Sequence, residues 1–429
     1  MKRPAFASFA LLFTLTATFM PACGGNDGPA PLSSTAPVDA SLEAAPATYA
    51  AECENAAVPP MNIECTGLYA NLASKELAAG VRAYAPAVPL WSDYADKERW
   101  IALPAGTTID RSDPEEWIFP IGTKVWKQFS RNGHRVETRL FQKTDANFWV
   151  RTTYAWDADE TAAVISGGGD MPLAGDGGSY HIPTPDECDQ CHRGRDDHLL
   201  GFEEVSLGLA GATGLTLDTL AAEGLLTPPP PRTHLTLGDD GTGIGAAPLA
   251  WIHINCGASC HNANSNSTAY GAGMRLRLDP AELDGRSSAG FDARTTTIGQ
   301  VSTTPTWAGQ TRIVAGDPSH SLLAELITNR GTDNPVDNQM PPIASSVIDP
   351  TDTQNVLAWI AAMPGAPVDG GGAGPDAGHD AGHDGVGDVT DAMAAGDAGP
   401  DATVGDEGGP DAADASNAPI PDATDLDSD

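Results

Sequence analysis

The clearest periodic signal in the chain is a strict alternation. Phe148, Val150, Thr152, Tyr154 and Trp156 alternate with Trp149, Arg151, Thr153 and Ala155. A period of two marks a β-strand, here with one aromatic face. Just upstream, Lys124 to Arg131 and His134 to Thr144 flank Asn132-Gly133, the strongest short hairpin signal. Trp91, Trp100, Trp117 and Trp126 add bulk to the same region. Residues 81–166 are therefore expected to form an antiparallel sheet or small sandwich. Its aromatics read as sheet core, with a sugar-binding face as the alternative.

Helical patterning is confined to shorter stretches. Leu68 to Leu77 reads as a helix, and so does Leu215 to Leu226, which stops before four prolines, Pro228 to Pro231. Gly167 to Tyr180 is Gly-rich and loop-like. Further on, Ala247 to Asn255 and Ser319 to Asn329 read as helices, the second with Ser319 as cap and Gly331 past its end. A last helix is expected from Thr351 to Ala362, started by Asp349-Pro350-Thr351-Asp352.

The two ends differ from this middle. Lys2 and Arg3 followed by an apolar run from Ala5 to Met20 make residues 1–22 a secretory signal. Ala22-Cys23-Gly24 reads as a lipoprotein cleavage site with Cys23 acylated, simple secretion being the alternative. Residues 23–50, rich in Ala, Pro, Ser and Gly, suit a flexible tether. From Asp369 to Asp429 there are 16 Asp or Glu and no Lys or Arg. Such a stretch repels itself and buries too little apolar surface to offset ordering, so residues 365–429 are expected to be a disordered acidic tail. The chain carries −35, and removing the tail's −16 leaves −19 for the rest. That balance argues against nucleic acid, which needs a basic stripe. It suits a redox partner with a basic docking patch.

The candidate chemistry lies in the cysteines. Cys188-Asp-Gln-Cys191-His192 is a full match to the C-x-x-C-H signature of covalent c-type haem attachment. Two thiols add to haem vinyl groups, and the following histidine supplies an axial nitrogen to the iron. Cys256-Gly-Ala-Ser-Cys260-His261 repeats the idea with one extra residue between the thiols. That residue must bulge for both sulfurs to reach both vinyls. The fallback is one thioether at Cys260, with Cys256 free or disulfide-bonded. Zinc binding or disulfides among the four motif cysteines is the competing reading. Cys53 and Cys65, close in sequence in an oxidising compartment, are expected to pair.

The order from residue 249 on is attachment motif, middle helix, Gln339-Met340-Pro341-Pro342, last helix. That is the order of a small class I cytochrome c, with Met340 as sixth iron ligand opposite His261. The first motif has no evident sixth ligand; His198, His181 and Met171 are the candidates. The expectation is an α+β multidomain protein: a β-rich domain (51–180), a haem-bearing segment (181–244) and an all-α class I cytochrome c-like domain (245–364).

Beyond the motifs, residues 87–99 (AVPLWSDYADKER) with Leu103-Pro104, residues 119–125 (FPIGTKV) and Glu137-Thr-Arg-Leu140 resemble a family of exported bacterial proteins that look like dihaem c-type cytochromes. So do residues 182–192, Leu200-Gly201-Phe202, residues 220–226 and residues 255–261. Members are sometimes found with quinoprotein sugar dehydrogenases, and usually show C-x-x-C-H at the second site, where this chain departs. The resemblance implies haem and export rather than a substrate.

Together these readings predict a lipid-anchored, periplasm-facing or cell-surface protein carrying two covalent haems c, held by Cys188, Cys191, His192, Cys256, Cys260, His261 and Met340. Its expected work is electron transfer with a periplasmic or membrane redox protein, a periplasmic dehydrogenase being a candidate donor. A peroxidase-like dihaem enzyme with an open first haem, and a surface binding module with structural haem, are the alternatives.

Overall fold

Asn132 and Gly133 adopt positive φ of 52° and 80°, the backbone that a two-residue hairpin turn demands. A computed structural model describes residues 53–173, 178–331 and 339–365. The expected signal segment, Cys23, the tether and the acidic tail lie outside the described residues. The hairpin sits in a seven-stranded sheet of β1 (Arg82–Ala85), β2 (Asp96–Ala102), β3 (Lys124–Arg131), β4 (His134–Asp145), β5 (Phe148–Trp156), β6 (Ala163–Ser166) and β7 (Thr213–Gly214). The spatial order is β7-β1-β2-β3-β4-β5-β6 and every pairing is antiparallel.

Register gives the sheet two covered faces. Trp100 lies opposite Trp126, and Trp126 opposite Leu140. With Tyr154, Trp156, Ile63 and Leu68 they form a buried core on one face. Ile101, Val125 and Phe141 point the other way, into a larger core with Phe202, Leu217, Trp251, Leu323 and Trp359. Tyr154 and Trp156 are thus core residues, while Phe148 at the strand's start is exposed.

Two expectations are corrected. Leu68 to Leu77 is not a helix but a short hairpin, Tyr69–Asn71 against Glu76–Leu77. The side-chain oxygen of Asn71 accepts the Ser74 N–H at 3.2 Å, and Lys75 takes φ of 56°. A local Asn turn has outcompeted the helix. The second correction is larger: the expected α+β multidomain plan with an all-α class I cytochrome c-like domain over 245–364 is not formed. The protein is β-rich with few helices. Among the described residues these are α1 (Pro185–His192), α2 (Glu204–Gly208), α3 (Leu217–Ala222), α4 (Ala246–Ile252), α5 (Leu322–Thr328) and α6 (Pro350–Ala362), besides short turns. Three of them fall within 245–364, but residues 258–321 between them are rich in Gly, Ser, Asn and Thr. That stretch folds as loops, 3-10 turns and one four-residue helical turn, Asp292–Thr295. The apolar sides of α4, α5 and α6 (Trp251, Leu323, Trp359, Ile360) join the core on the sheet. They are too short and too far apart in sequence to enclose a core of their own. Among the described residues no helix is long and apolar enough to cross a membrane.

Buried carboxylates tie these layers together. Asp197 accepts Lys143 Nζ at 2.7 Å, Trp149 Nε1 at 2.7 Å and the Phe119 N–H at 2.6 Å, which pins the chain after α1 onto β4 and β5. Glu203, only 1 % exposed, accepts Arg195 Nη1 at 3.0 Å, His253 Nε2 at 2.7 Å and Ser206 Oγ at 2.8 Å. Arg277 Nη2 approaches it at 3.5 Å, and Glu116 bridges Arg195 and Arg277. The Leu278 N–H donates to His253 Nδ1 at 2.9 Å, so the ring's proton sits on Nε2, facing Glu203. Burial opposes ionisation of Glu203, yet His253, Arg195 and Arg277 outweigh it and hold its carboxyl well below the usual range.

Glu203→Gln is therefore expected to cost about 3–5 kcal/mol at neutral pH, because it removes one of the two carboxylates that the buried Arg195 and Arg277 share. A depressed folded pKa contributes stability above the unfolded carboxyl value of about 4.3, lost as pH falls through the folded value. Urea midpoints at pH 7 and pH 3 check this: the gap between wild type and variant must shrink in acid. An equal gap at both pH values would refute the assignment.

Candidate covalent cofactor site

The first motif owes its helix to the residues before it. Thr184-Pro-Asp-Glu187 is a capping box: the Thr184 hydroxyl accepts the Glu187 N–H, and the Glu187 carboxylate accepts the Thr184 N–H at 2.8 Å. Pro185 stands in the first turn, where no hydrogen bond is lost. Cys188 and Cys191 then fall three residues apart on one side of α1, both partly exposed. Arg151 of β5 holds Asp189 at 2.6 Å, so the helix lies on the sheet face that carries Phe141. No residue of α1 is fully buried.

His192 ends α1 with its ring 4.4 Å from that of Phe141. Its Nδ1 lies 2.6 Å from the His198 carbonyl oxygen, so Nδ1 donates and carries the proton. Nε2 has no hydrogen-bond partner among the described residues. Burial, reinforced by Lys127, Arg139 and Arg151, pushes the ring's pKa down to about 3. The imidazole is therefore neutral, with its unprotonated nitrogen unpaired. Of the sixth-ligand candidates, His198 has φ of 61° and turns Nδ1 to the His192 carbonyl at 3.1 Å. His181 bonds Asp170 at 2.9 Å and Glu187 at 3.2 Å, one through each ring nitrogen. Met171 lies in a short hairpin, opposite Tyr180.

The second motif emerges from α4 through a π-helical turn, His253–Gly257. The Ala258 N–H reaches the His253 carbonyl at 2.7 Å, and the His261 N–H reaches the Cys256 carbonyl at 2.8 Å. Both are five-residue spacings. A π turn accommodates one residue more than an α turn, and the longer Cys256–Cys260 spacing sits within this widened stretch. Burial pushes the Cys256 thiol up to about 12. His261 is buried, its Nδ1 lacks a hydrogen-bond partner among the described residues, and burial with Arg312 and Arg275 lowers its pKa to about 4. Met340 flanks the large core, as does Cys256. Its backbone N–H donates to Leu326 at 2.9 Å, and it makes no polar contact with the second motif. Cys53 and Cys65 form a disulfide apart from both motifs, with Cα atoms 5.0 Å apart.

The fold brings the two motifs into direct contact. Asn262 Nδ2 donates to the Gly194 carbonyl at 3.2 Å across 68 residues of sequence. Thr268 Oγ1 donates to the Gln190 carbonyl at 2.7 Å. Between these anchors the Cys191 and Cys260 thiols interact electrostatically, and the Cys260 sulfur accepts from Ser259 Oγ at 3.4 Å. The contact lowers the Cys260 thiol to about 7 and raises that of Cys191. Glu203 links the segments a second time, through Arg195 of one and His253 of the other. Asp197, Glu203 and His253 carried no signal in the sequence, since their roles rest on pairings some 50 residues distant.

The donors present fit covalent haem. At the first motif two accessible thiols precede a neutral imidazole whose orientation is fixed by a carbonyl, the usual support of a ligating histidine. At the second, a buried ring nitrogen is left without a partner. The fit is one of donors rather than of enclosure. The cavity beside Cys188, lined by Arg139, Phe141, Arg151, Pro183 and Pro185, is about 30 Å³, space for water and not for a macrocycle. Among the described residues no three His, Cys, Asp or Glu side chains converge as a metal-binding group. Comparison of the chain with protein-family models, with curated proteins and with solved structures finds no match.

Gly194 makes the docking of the two segments testable. A Cβ there would stand 1.9 Å from the Ser259 carbonyl oxygen, so Gly194→Ala must push the segments apart. The expected cost is at least about 1–3 kcal/mol, the usual range for overpacking. Gly271→Ala, where a Cβ meets nothing within 4 Å, is the control. Equal urea midpoints for the two variants would mean the segments are not packed this way.

Proposed function

We propose that this protein is an exported c-type cytochrome with two covalent haems, working as an electron carrier. The observation that carries the reading is the docking of two attachment-type motifs, distant in sequence, against each other. In electron transfer, two redox centres must lie close. Haem, when bound, supplies the one-electron chemistry of its iron. The chain's part is to hold and tune it. Cys188 and Cys191 would anchor the first group, and the His198 carbonyl keeps the His192 proton on Nδ1 so that Nε2 stays free to ligate. Cys256 and Cys260 would anchor the second, with His261 as its nitrogen ligand and Met340 as a candidate thioether ligand. The acidic surface suits a donor or acceptor with a basic docking patch. The proposed location is outside the cytoplasm, with Cys23 as lipid anchor.

A second reading has its own support. His181 and His198 are both engaged elsewhere, which favours an open position at the first iron and hence a dihaem redox enzyme. Cyanide binding to a high-spin fraction of the oxidised protein would favour the enzyme; low-spin spectra for both haems favour the carrier.

Expressed through the periplasm of a host with cytochrome maturation machinery, the chain is expected to carry two haems by pyridine haemochrome assay and intact mass. His192→Ala should abolish low-spin ligation at the first haem while leaving its thioethers. Met340→Ala should lower the potential of the second. A colourless product without added porphyrin mass would end the proposal.

A further inference from the structure

The sheet face beneath the first motif carries a row of basic side chains that the carboxylates of the described residues pair only at one end, where Glu137 holds Arg139. Arg99 of β2 lies directly opposite Lys127 of β3, which lies directly opposite Arg139 of β4. Partners in register share a face, and neighbouring strands are about 4.8 Å apart. The row therefore spans about 10 Å. Lys97, two residues from Arg99, adds a fourth cation to the same face, and Glu137, two residues from Arg139, supplies its carboxylate. Arg139 claims that carboxylate through two bonds, at 2.9 and 2.5 Å, and Tyr180 takes a third at 2.7 Å. Lys97 donates to the Leu90 carbonyl. The Lys127 side chain has no hydrogen bond among the described residues and sits 5.0 Å from the Phe129 ring; burial, with Arg99, Lys97 and Arg139 beside it, pushes its amine well below the usual range. Arg99 is only 5 % exposed and makes no side-chain hydrogen bond or ion pair with any described residue.

Like charges directly opposite on a sheet are destabilising, and an unpaired buried cation more so. In a chain with 58 acidic and 23 basic residues carboxylates are abundant, yet among the described residues none hydrogen-bonds or ion-pairs with Arg99 or Lys127, Glu137 acting on Lys127 only from a distance. The row also joins two spaces. Arg139 lines the small cavity beside Cys188. Arg99 and Lys97 line a cavity of about 590 Å³ with Trp91, Tyr94 and Asp349, within the size range of ligand sites. Asp96 and Asp352 also line it. Asp349 is already occupied, capping α6 through the N–H groups of Thr351 and Asp352 and accepting Trp251 Nε1. Asp352 accepts from Asn355, and Asp96 is exposed.

We infer that Arg99 and Lys127 form a binding site for ligand carboxylates, reached along the row from the first motif. Two sources share this chemistry. The propionate groups of a haem held at Cys188 and Cys191 are one, and on that source the inference rests on the function proposed above. A free dicarboxylate entering the larger cavity is the other.

The test compares Arg99→Gln/Lys127→Gln in two backgrounds of the full-length chain, the holoprotein and a Cys188→Ser/Cys191→Ser variant. If propionates fill the site, the double substitution lowers the holoprotein's thermal midpoint by several degrees and shifts one haem potential downward, while covalent haem content is unchanged. In the Cys188→Ser/Cys191→Ser background the same substitution raises the midpoint, since it only relieves repulsion. Arg99→Lys should preserve the holoprotein's behaviour. If a free dicarboxylate is the ligand, succinate raises the midpoint of the Cys188→Ser/Cys191→Ser chain, and Arg99→Gln abolishes that rise. A midpoint raised in both backgrounds, with no succinate effect and no change in potential, overturns the inference. A colourless product refutes the haem reading alone, and the succinate titration then decides the site.

Discussion

A carboxylate hidden from water determines where the chemistry of this protein sits. Glu203 is nearly fully buried, and an ionised carboxyl in that position is tolerable only when ringed by donors. The donors it gathers come from separate stretches of chain: Arg195 follows the first motif, His253 opens the π turn of the second, and Arg277 belongs to the loops beyond. Each donor satisfied by Glu203 is a constraint on the position of its segment. The network gains little over a well-packed apolar plug of the same volume, but it tolerates far fewer arrangements. It works as a registration device. Asp197 repeats the logic against the sheet, joining Lys143 and Trp149 to the strand of chain between His192 and Leu199.

How much of this was readable in the sequence depended on distance along the chain. The Asn132-Gly133 hairpin, the alternation in β5 and the Asp349-Pro350 start of α6 are all local, and each appears where its residues predict. Local signals fail where a stronger local competitor exists, as with Asn71 in the stretch read as a helix. They also fail to say which core an element will join. The order of helices and loops after residue 245 is compatible with a self-enclosed helical domain, but Trp251, Leu323 and Trp359 join the core on one face of a sheet whose strands lie well before them in sequence. Apolar periodicity states that a helix has a buried side and not what covers it. The extra residue between Cys256 and Cys260 was visible as an anomaly. Its form, a π turn beginning at His253, was not.

The charge distribution has an inward and an outward part, and they oppose each other. The chain as a whole is strongly negative, yet the imidazoles of both motifs sit among cations: Lys127, Arg139 and Arg151 around His192, Arg275 and Arg312 near His261. Burial and these charges together keep both rings unprotonated, the state in which an imidazole can ligate. A positive interior also stabilises any centre that gains an electron, because the added negative charge is met by fixed opposite charge in a low-dielectric setting. Under the proposed function the acidic exterior then serves a separate purpose, guiding a basic partner to the surface, while the cationic sheet face sets the ease of reduction within. Cations spread evenly over the surface would weaken both effects. Gathering them on one sheet face beneath α1 allows the two demands to be met by the same small number of basic residues.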